Sequence, residues 1–499
     1  MSLLTFVAAV TLLVGSALGD TCSEVASISS IDVQSPSSVS YLREQADYWS
    51  STCAALKPTC IMFPKSAEEV STIINVLKSN TEKFAIKSGG HNPNNYFSSV
   101  EGGPLISTQK MDQVLLDPAT GIAKVGPGIR LDEIAAQLQG TGWTFVGGRI
   151  GNTGVGGLIL GGGLSYMSAQ YGWAASSVLE YEIVLANGTI ATASATHNPD
   201  LFRALKGGGN MFGVVTTYTL QTYRQGNIYG GNLVFTRTPE TDAKLLKAVR
   251  DFTDYNQDNK AAIIVTAERS TVSLIDSWIL FIFYDGPEVP AGTFKNFTDV
   301  GPTLNTCKVQ TYSDLIGGSN WVIVKASVVD ISTTTIPVPS LENAGIMDEI
   351  HAHWRNLSGS TQLELGIVAS VAYQPFPRAI ARAARERSPD LIDADEDMDK
   401  IIMEINYSFV PQASYSAMAD TIEATYNGVD RIVAEWQDQG KLPRTHLPAF
   451  MNYGFYRQDY FGRLKPEMAK FAADVAAVVD PTGFFRDRTG GFRPKVGRS

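Results

Sequence analysis

The run Gly154-Val-Gly-Gly-Leu-Ile-Leu-Gly-Gly-Gly163 puts six glycines in ten residues. Backbone without Cβ atoms reaches positive φ and lets N–H groups approach a ligand closely, so a loop of this kind can wrap a pyrophosphate. As a plain turn system between strands it would cost too much folding entropy to be a good alternative. Ile159 stands where GxGxxG requires its third glycine, and the run does not end in GK[ST], so neither the usual dinucleotide fingerprint nor a P-loop is present.

Two further segments have the same texture. Lys87-Ser-Gly-Gly-His91-Asn92 follows the short strand pattern Phe84-Ala-Ile-Lys87, and its backbone would leave the His91 imidazole facing a ligand. A neutral ring nitrogen is a usable nucleophile near pH 7. A lone histidine in a turn is otherwise a satisfied turn residue. Farther along, Val184-Leu-Ala-Asn-Gly188 reads as a strand entering a turn. A short helix from Asp200 then ends in Gly207-Gly-Gly209 and re-enters a strand at Gly213-Val-Val215, another place of close backbone approach.

Between Pro64 and about Leu220 helical and extended patterns alternate. Ser66 and Glu69 form a capping box ahead of Val70, Ile73, Ile74 and Leu77, and a second helix around Leu131, Ile134, Ala135 and Leu138 is stopped by Gly140. Beyond Tyr223 β-rich segments such as Ala262–Thr266 and Trp278–Tyr284 alternate with amphipathic helices, which suits a sheet backed by helices. The expected class is α+β. At 499 residues the chain exceeds a single ordinary core, and its divisions are read as 1–19, 20–225, 226–449 and 450–499, the last packing back on the first lobe.

The net charge of −10 is spread thinly, without a basic block, so nothing points to a nucleic-acid partner. Residues 1–19 read as a secretory signal peptide cleaved before Asp20, although the basic n-region is missing. No later stretch is apolar enough to span a membrane. The four cysteines, Cys22, Cys53, Cys60 and Cys307, lack zinc-site spacing. Disulfides suit an oxidising compartment, and of the three possible pairings the position of Cys22 and Cys60 near the mature N-terminus favours that pair. Sequons at Asn187, Asn296, Asn356 and Asn406 agree with the secretory route. His351-Ala-His353, beside Asp348 and Glu349, reads as a solvated helix surface. No metal site is expected, and without a GxSxG motif His446 has no nucleophile to serve.

Taken together, KSGGHN, GVGGLILGGGLS, YGW, VLANG, DLFRALKGGGNMFGVVT and the terminal DPTGFF…GGF resemble the fungal berberine bridge enzyme-like FAD-linked oxidoreductases of the vanillyl-alcohol oxidase (PCMH-type) superfamily. The match spans nearly the whole mature chain and is densest in residues 56–222 and 450–493. The resemblance implies a PCMH-type FAD-binding domain of two α/β subdomains, joined to a substrate domain with an antiparallel sheet backed by helices. It implies that His91 bonds the 8α-methyl carbon of FAD. Lys87, Ser88, Gly89, Gly90 and Asn92 would cradle the pyrophosphate with Thr153, Gly154, Val155, Gly156, Gly157, Leu160, Gly161, Gly162, Gly163 and Ser165. Gly213 and Val215 would lie by the adenine. Many relatives carry a second, cysteinyl tether where this chain has Ile150, so a single link and a less oxidising flavin are expected. The chain also departs from the family pattern at Gly172–Val178 and Arg203. Thr153 would flank the ring system where oxygen arrives.

Such an enzyme would be a secreted oxidase that passes a hydride from a small alcohol or secondary metabolite to FAD and returns the electrons to O2 as H2O2. The cofactor takes the hydride, so the protein must orient substrate and remove a proton. Tyr453 is the first candidate base, although a phenol with a pKa of about 10 needs a neighbouring positive charge. Asn452 and Gln458 would hydrogen-bond the flavin edge. Glu364, Tyr373, Gln374 and Glu404 lie in strand-like runs whose alternate side chains enter one cavity, with Glu404 and Tyr373 foremost. A flavin-scaffolded cyclase of Diels–Alder type, an oligosaccharide oxidase and a non-catalytic binding module are the competing readings. The partners expected are a small molecule and O2, on a monomer.

Overall fold

The computed structural model describes residues 21–270, 274–323 and 325–494. The expected signal peptide lies outside them.

Two sheets dominate the N-terminal half, with a two-stranded ribbon of Trp143–Thr144 and Tyr223–Arg224 beside them. In the first, Asp32–Gln34, Ile61–Phe63, Leu105–Ser107 and Ala85–Lys87 are neighbours in that order, the last three parallel. Helix Ala67–Lys78 covers this sheet with Val70, Ile73, Ile74 and Leu77 inward, as their spacing requires. The Ser66 hydroxyl accepts from the Glu69 N–H at 3.3 Å, and the Glu69 carboxylate reaches back to the Lys65 N–H at 2.7 Å. The Cys22–Cys60 disulfide ties the first helix, Thr21–Ile28, to the same layer, while Cys53 and Cys307 are free thiols. The second sheet is antiparallel, in the order Val114–Asp117, Ile122–Val125, Val214–Gln221, Val178–Val184, Ile190–Ser194.

A large antiparallel sheet makes up the second half. Its central order is Ile228–Thr236, Ile275–Tyr284, Ala261–Ser270, Val368–Phe376, Lys400–Phe409, Val328–Pro337. Side chains alternate across a strand, so each strand contributes to two environments. Val265, Val371, Tyr373, Met403 and Tyr407 face helices Pro239–Tyr255, Gly345–Ser360 and Tyr415–Asp438 in one apolar core. Thr266, Ala372, Gln374, Glu404 and Asn406 face the other way, into a cavity shared with the glycine segments.

The final segment returns to the N-terminal half. The Asn94 amide donates to the Gly454 carbonyl at 2.8 Å, Asn210 donates to Gly490 at 2.9 Å, and Phe484 and Phe485 pack on Phe84. No described helix is long and apolar enough to cross a membrane. Asn187, Asn296 and Asn356 are exposed, whereas the fourth sequon asparagine, Asn406, lines the cavity on a central strand and has no room for a glycan. His351 also departs from expectation. It is buried, stacked on Trp278 at 4.9 Å and bonded through Nδ1 to the Tyr373 hydroxyl at 3.1 Å, because helix Gly345–Ser360 turns that face onto the sheet.

Candidate active site

The cavity between the glycine segments and the large sheet has a volume of about 490 Å3, within the usual range of small-molecule sites. One wall is Ser88–Asn92, Thr153, Gly154, Gly156 and Gly157, with Leu160, Gly161, Gly213 and Val215. The Ser88-Gly-Gly and Gly154 segments cross backbone to backbone. A Cβ on Gly89 would stand 2.5 Å from the Gly154 nitrogen, so glycine is required at the crossing. Gly90 needs its own glycine for a φ of 66°. Gly157 has nothing within 4 Å of where its Cβ would be, so its backbone opens directly on the cavity.

The glycine run is not the open loop expected from the sequence. Val155–Leu160 is a short helix. The first-turn N–H groups of Gly156 and Gly157 have no carbonyl within the helix to bond, and both residues line the cavity. Val155 points into the core, its N–H bonded to the Ile129 carbonyl at 3.0 Å. Gly162, Gly163 and Ser165 turn away as well. The two glycine carbonyls accept from Ala175 and Ala174, and the Ser165 N–H is bonded to Ser168 Oγ at 2.9 Å. The cradle is therefore shorter than the motif. Lys87 is also outside it, with its side chain buried in an ion pair to Glu44 at 2.7 Å beneath the strand.

His91 lines the cavity against Trp49, with ring centroids 4.8 Å apart. Its Nε2 is 3.1 Å from Asn152 Oδ1, so the neutral ring donates from Nε2 and keeps its lone pair on Nδ1. Burial, reinforced by the Arg130 and Lys325 charges, pushes the imidazole down to about 4 against the opposing Asn152 bond. At pH 7 the ring is therefore uncharged and nucleophilic. Asn152 is held by a backbone bond to Asn320 Oδ1 at 2.8 Å, and its carbonyl accepts from Arg130, which pairs with Asp47. Ile150 and Thr153 both line the cavity close by.

At the sheet side Tyr453, Arg149, Gln374 and Glu404 converge. The Tyr453 hydroxyl accepts from the Arg149 guanidinium and lies 3.3 Å from the Gln374 amide nitrogen, which is 3.2 Å from Glu404 Oε2. The Tyr453 hydroxyl also donates to Gln374 Oε1 at 3.4 Å, and the Glu404 carboxylate lies close enough to perturb the phenol. Burial raises the Tyr453 phenol above its usual range, and Glu404 adds to the rise while Arg149 opposes it. Burial likewise raises Glu404, against Arg149. Arg149 is the neighbouring charge that the sequence requires but does not reveal. Arg149 precedes Ile150 in a loop, and only the tertiary fold brings it to residue 453.

The remaining candidates lie elsewhere. Tyr373 is one residue out of phase with Gln374, so it points into the helix-side core with its hydroxyl on His351. Glu364 is in the turn before its strand, bonded to the Ser414 hydroxyl at 2.7 Å. Asn452 lines the cavity, but its side chain secures the glycine run, accepting from the Gly163 N–H at 3.0 Å and donating to the Leu158 carbonyl at 3.0 Å. Gln458 is not part of the lining. Its amide clips the C-terminal segment to the edge strand, donating to the Thr333 carbonyl at 2.6 Å and accepting from the Thr333 N–H at 3.2 Å. No cluster of metal-binding side chains occurs among the described residues.

An FAD binding domain family model matches residues 58–194. An uncharacterized FAD-linked oxidoreductase of Arthroderma benhamiae is 40% identical over 467 residues, covering 93% of this chain and 92% of that protein. The bifunctional solanapyrone synthase of Alternaria solani is 30% identical over 456 residues, covering 89% and 83%. Among solved structures, berberine bridge enzyme from Eschscholzia californica superposes with a TM-score of 0.74 at 16% identity, covering 96% of this chain and 100% of that one. The carbohydrate oxidase from Microdochium nivale gives 0.74 at 18% identity, covering 95% and 99%. The chain belongs to the FAD-linked oxidoreductases and has the fold of berberine bridge enzyme.

Proposed function

We propose that this FAD-dependent oxidoreductase is a secreted oxidase that holds FAD covalently through His91 alone, oxidises a small alcohol or secondary metabolite, and passes the electrons to O2. The observation that carries the reading is the meeting, on one cavity, of an uncharged His91 with a free Nδ1 and the Tyr453–Arg149–Glu404 cluster. The residues present suit the cofactor. Gly89 and Gly154 leave the crossing free of side chains, Gly157 opens on the cavity, and Ile150 offers no thiol for a second link.

Bound FAD supplies a two-electron oxidant that accepts a hydride. The chain supplies orientation and proton removal. Arg149, donating to Tyr453 Oη, stabilises the negative charge that builds on the phenol oxygen as it releases its own proton and takes that of the substrate hydroxyl. Glu404, beside the same phenol, is placed to receive the proton that the phenol gives up. Gln374 fixes the spacing of the pair. Secretion is supported by the apolar first 19 residues and by the Cys22–Cys60 disulfide.

The test is to denature and digest the purified protein and to look by fluorescence and mass for FAD on the peptide containing His91. A flavin-bearing peptide that loses its label in His91→Ala supports the link. An unmodified peptide from fully folded, flavin-containing protein refutes it. A screen of small alcohols scored by peroxide tests the oxidase reading, and N-terminal sequencing of protein from culture fluid tests cleavage before Asp20.

A further inference from the structure

Glu268 is a second carboxylate in the cavity, away from the Tyr453 cluster, and none of the chemistry above uses it. It lies on strand Ala261–Ser270, on the face shared with Thr266 and Ile264. The register puts it directly opposite Ser370, which is in turn opposite Asn406, so the three form one polar row across the sheet. The adjacent row is Thr266, Ala372 and Glu404. Two strand spacings and one two-residue step separate the Cα atoms of Glu268 and Glu404 by about 12 Å.

Among the described residues the Glu268 carboxylate has neither a hydrogen bond nor an ion pair. Arg269, its neighbour in sequence, points to the opposite face and donates to the Arg355 carbonyl at 2.8 Å. The charged side chains lining the cavity are Arg149, Glu268 and Glu404, and Arg149 is committed to Tyr453. Ile264, Ile275, Val322, Ile323 and Val368 complete an apolar surround. A carboxylate in such a place is costly unless a cation joins it, and burial already pushes its pKa upward.

We propose that Glu268 anchors a cationic nitrogen on the substrate, several bonds from the carbon that is oxidised, with Ser370 and Asn406 completing its hydrogen bonds. The inference rests on the oxidase reading for the position of the reacting carbon, but not for the anchor itself. It makes the substrate an amino alcohol whose two polar ends are held by opposite parts of one sheet face.

The probes are benzyl alcohols extended at the para position by alkyl chains of graded length. Each chain ends either in a dimethylamino group or in its neutral isostere, an isopropyl group. Binding to the flavin-loaded protein is read from the shift of the flavin absorbance band during anaerobic titration, and turnover is read separately from bleaching of that band. At the matching length the amine is expected to bind roughly 10- to 100-fold more tightly than its isostere, the ratio sustained by a charge-assisted hydrogen bond. E268Q should bring that ratio to about one, and E268K should favour a terminal carboxylate instead. A preference that persists in E268Q overturns the anchor. So does the absence of any preference in the native protein, including failure of every amine to bind or Glu268-dependent binding of a neutral polyol alone. Preferred amines that bind without bleaching the flavin leave the anchor standing and remove the oxidase reading. Neutral alcohols that bind as tightly as the amines and bleach the flavin do the reverse.

Discussion

Lys87 is the last residue before the segment that carries His91, and its charge is almost wholly buried. Its ammonium is 2.7 Å from Glu44 Oε1, with side-chain exposures of 1% and 2%. The Ser107 hydroxyl donates to the same oxygen at 2.7 Å, and the Tyr48 ring lies 4.9 Å from the ammonium. Removing one partner leaves the other charged in an almost wholly buried site, which costs about 3–5 kcal/mol. Lys87→Met and Glu44→Leu should each lower the melting temperature by roughly 6–20 °C for a cooperative lobe of this size. The double variant replaces the pair with apolar groups of similar volume and should return to within about 2 kcal/mol of the native protein. Thermal melts followed by circular dichroism at two salt concentrations supply the cycle, and the single-variant losses should not change with salt because the pair is shielded from solvent. Single losses below about 1 kcal/mol, or a double variant equal to the sum of the singles, would refute the claim that the charges are uncompensated without each other.

Two further perturbations discriminate between neighbouring residues and between protonation states. Tyr453→Phe should reduce the turnover number by about 10²–10⁴ while flavin content is retained, whereas Tyr373→Phe, which alters only the hydroxyl bonded to His351, should leave turnover near native; stopped-flow flavin reduction checks both. His351 is held down to about 4 by burial, so the unfolded chain binds more protons than the folded one between there and the ordinary imidazole value of about 6.5. Its contribution to stability is full above that window and is lost as the pH falls through it, up to about 3 kcal/mol. Asp330, raised to about 7, and Asp390, raised to about 6, act in the opposite sense, so the informative quantity is the native-minus-His351→Phe difference in unfolding free energy. That difference should shrink on acidification from pH 7 to pH 4. A flat difference removes the buried neutral imidazole.

What the sequence made legible was what local chemistry dictates. Glycines at 89 and 154 are demanded by a backbone crossing, and Ser66 with Glu69 caps a helix whose apolar spacing is unambiguous. Tyr453 and Glu404, to which the sequence points because both belong to segments rich in chemistry-bearing residues, both line the cavity. Strand parity was harder. Tyr373 and Gln374 are adjacent, and which of them enters the cavity depends on which face the helices cover. Arg149, Asn152 and Glu268 do not stand out in the sequence because their contacts, or the lack of one, arise only when segments far apart in the chain meet. The glycine run deceived in part. Its density suggested a continuous open loop, yet the Val-Gly-Gly-Leu-Ile-Leu stretch closes into a helical turn once Val155 and Ile159 find a core.

The bond between Asn94 and Gly454 joins residues 360 apart, and Asn452 closes on Leu158 across 294. A nascent chain still on the ribosome has therefore made its glycine cradle long before the segment that completes the cavity has been translated. FAD can be enclosed only after that segment has been made, and a message truncated before codon 450 yields a polypeptide that has His91 but lacks the cavity wall built by Phe450, Asn452 and Tyr453.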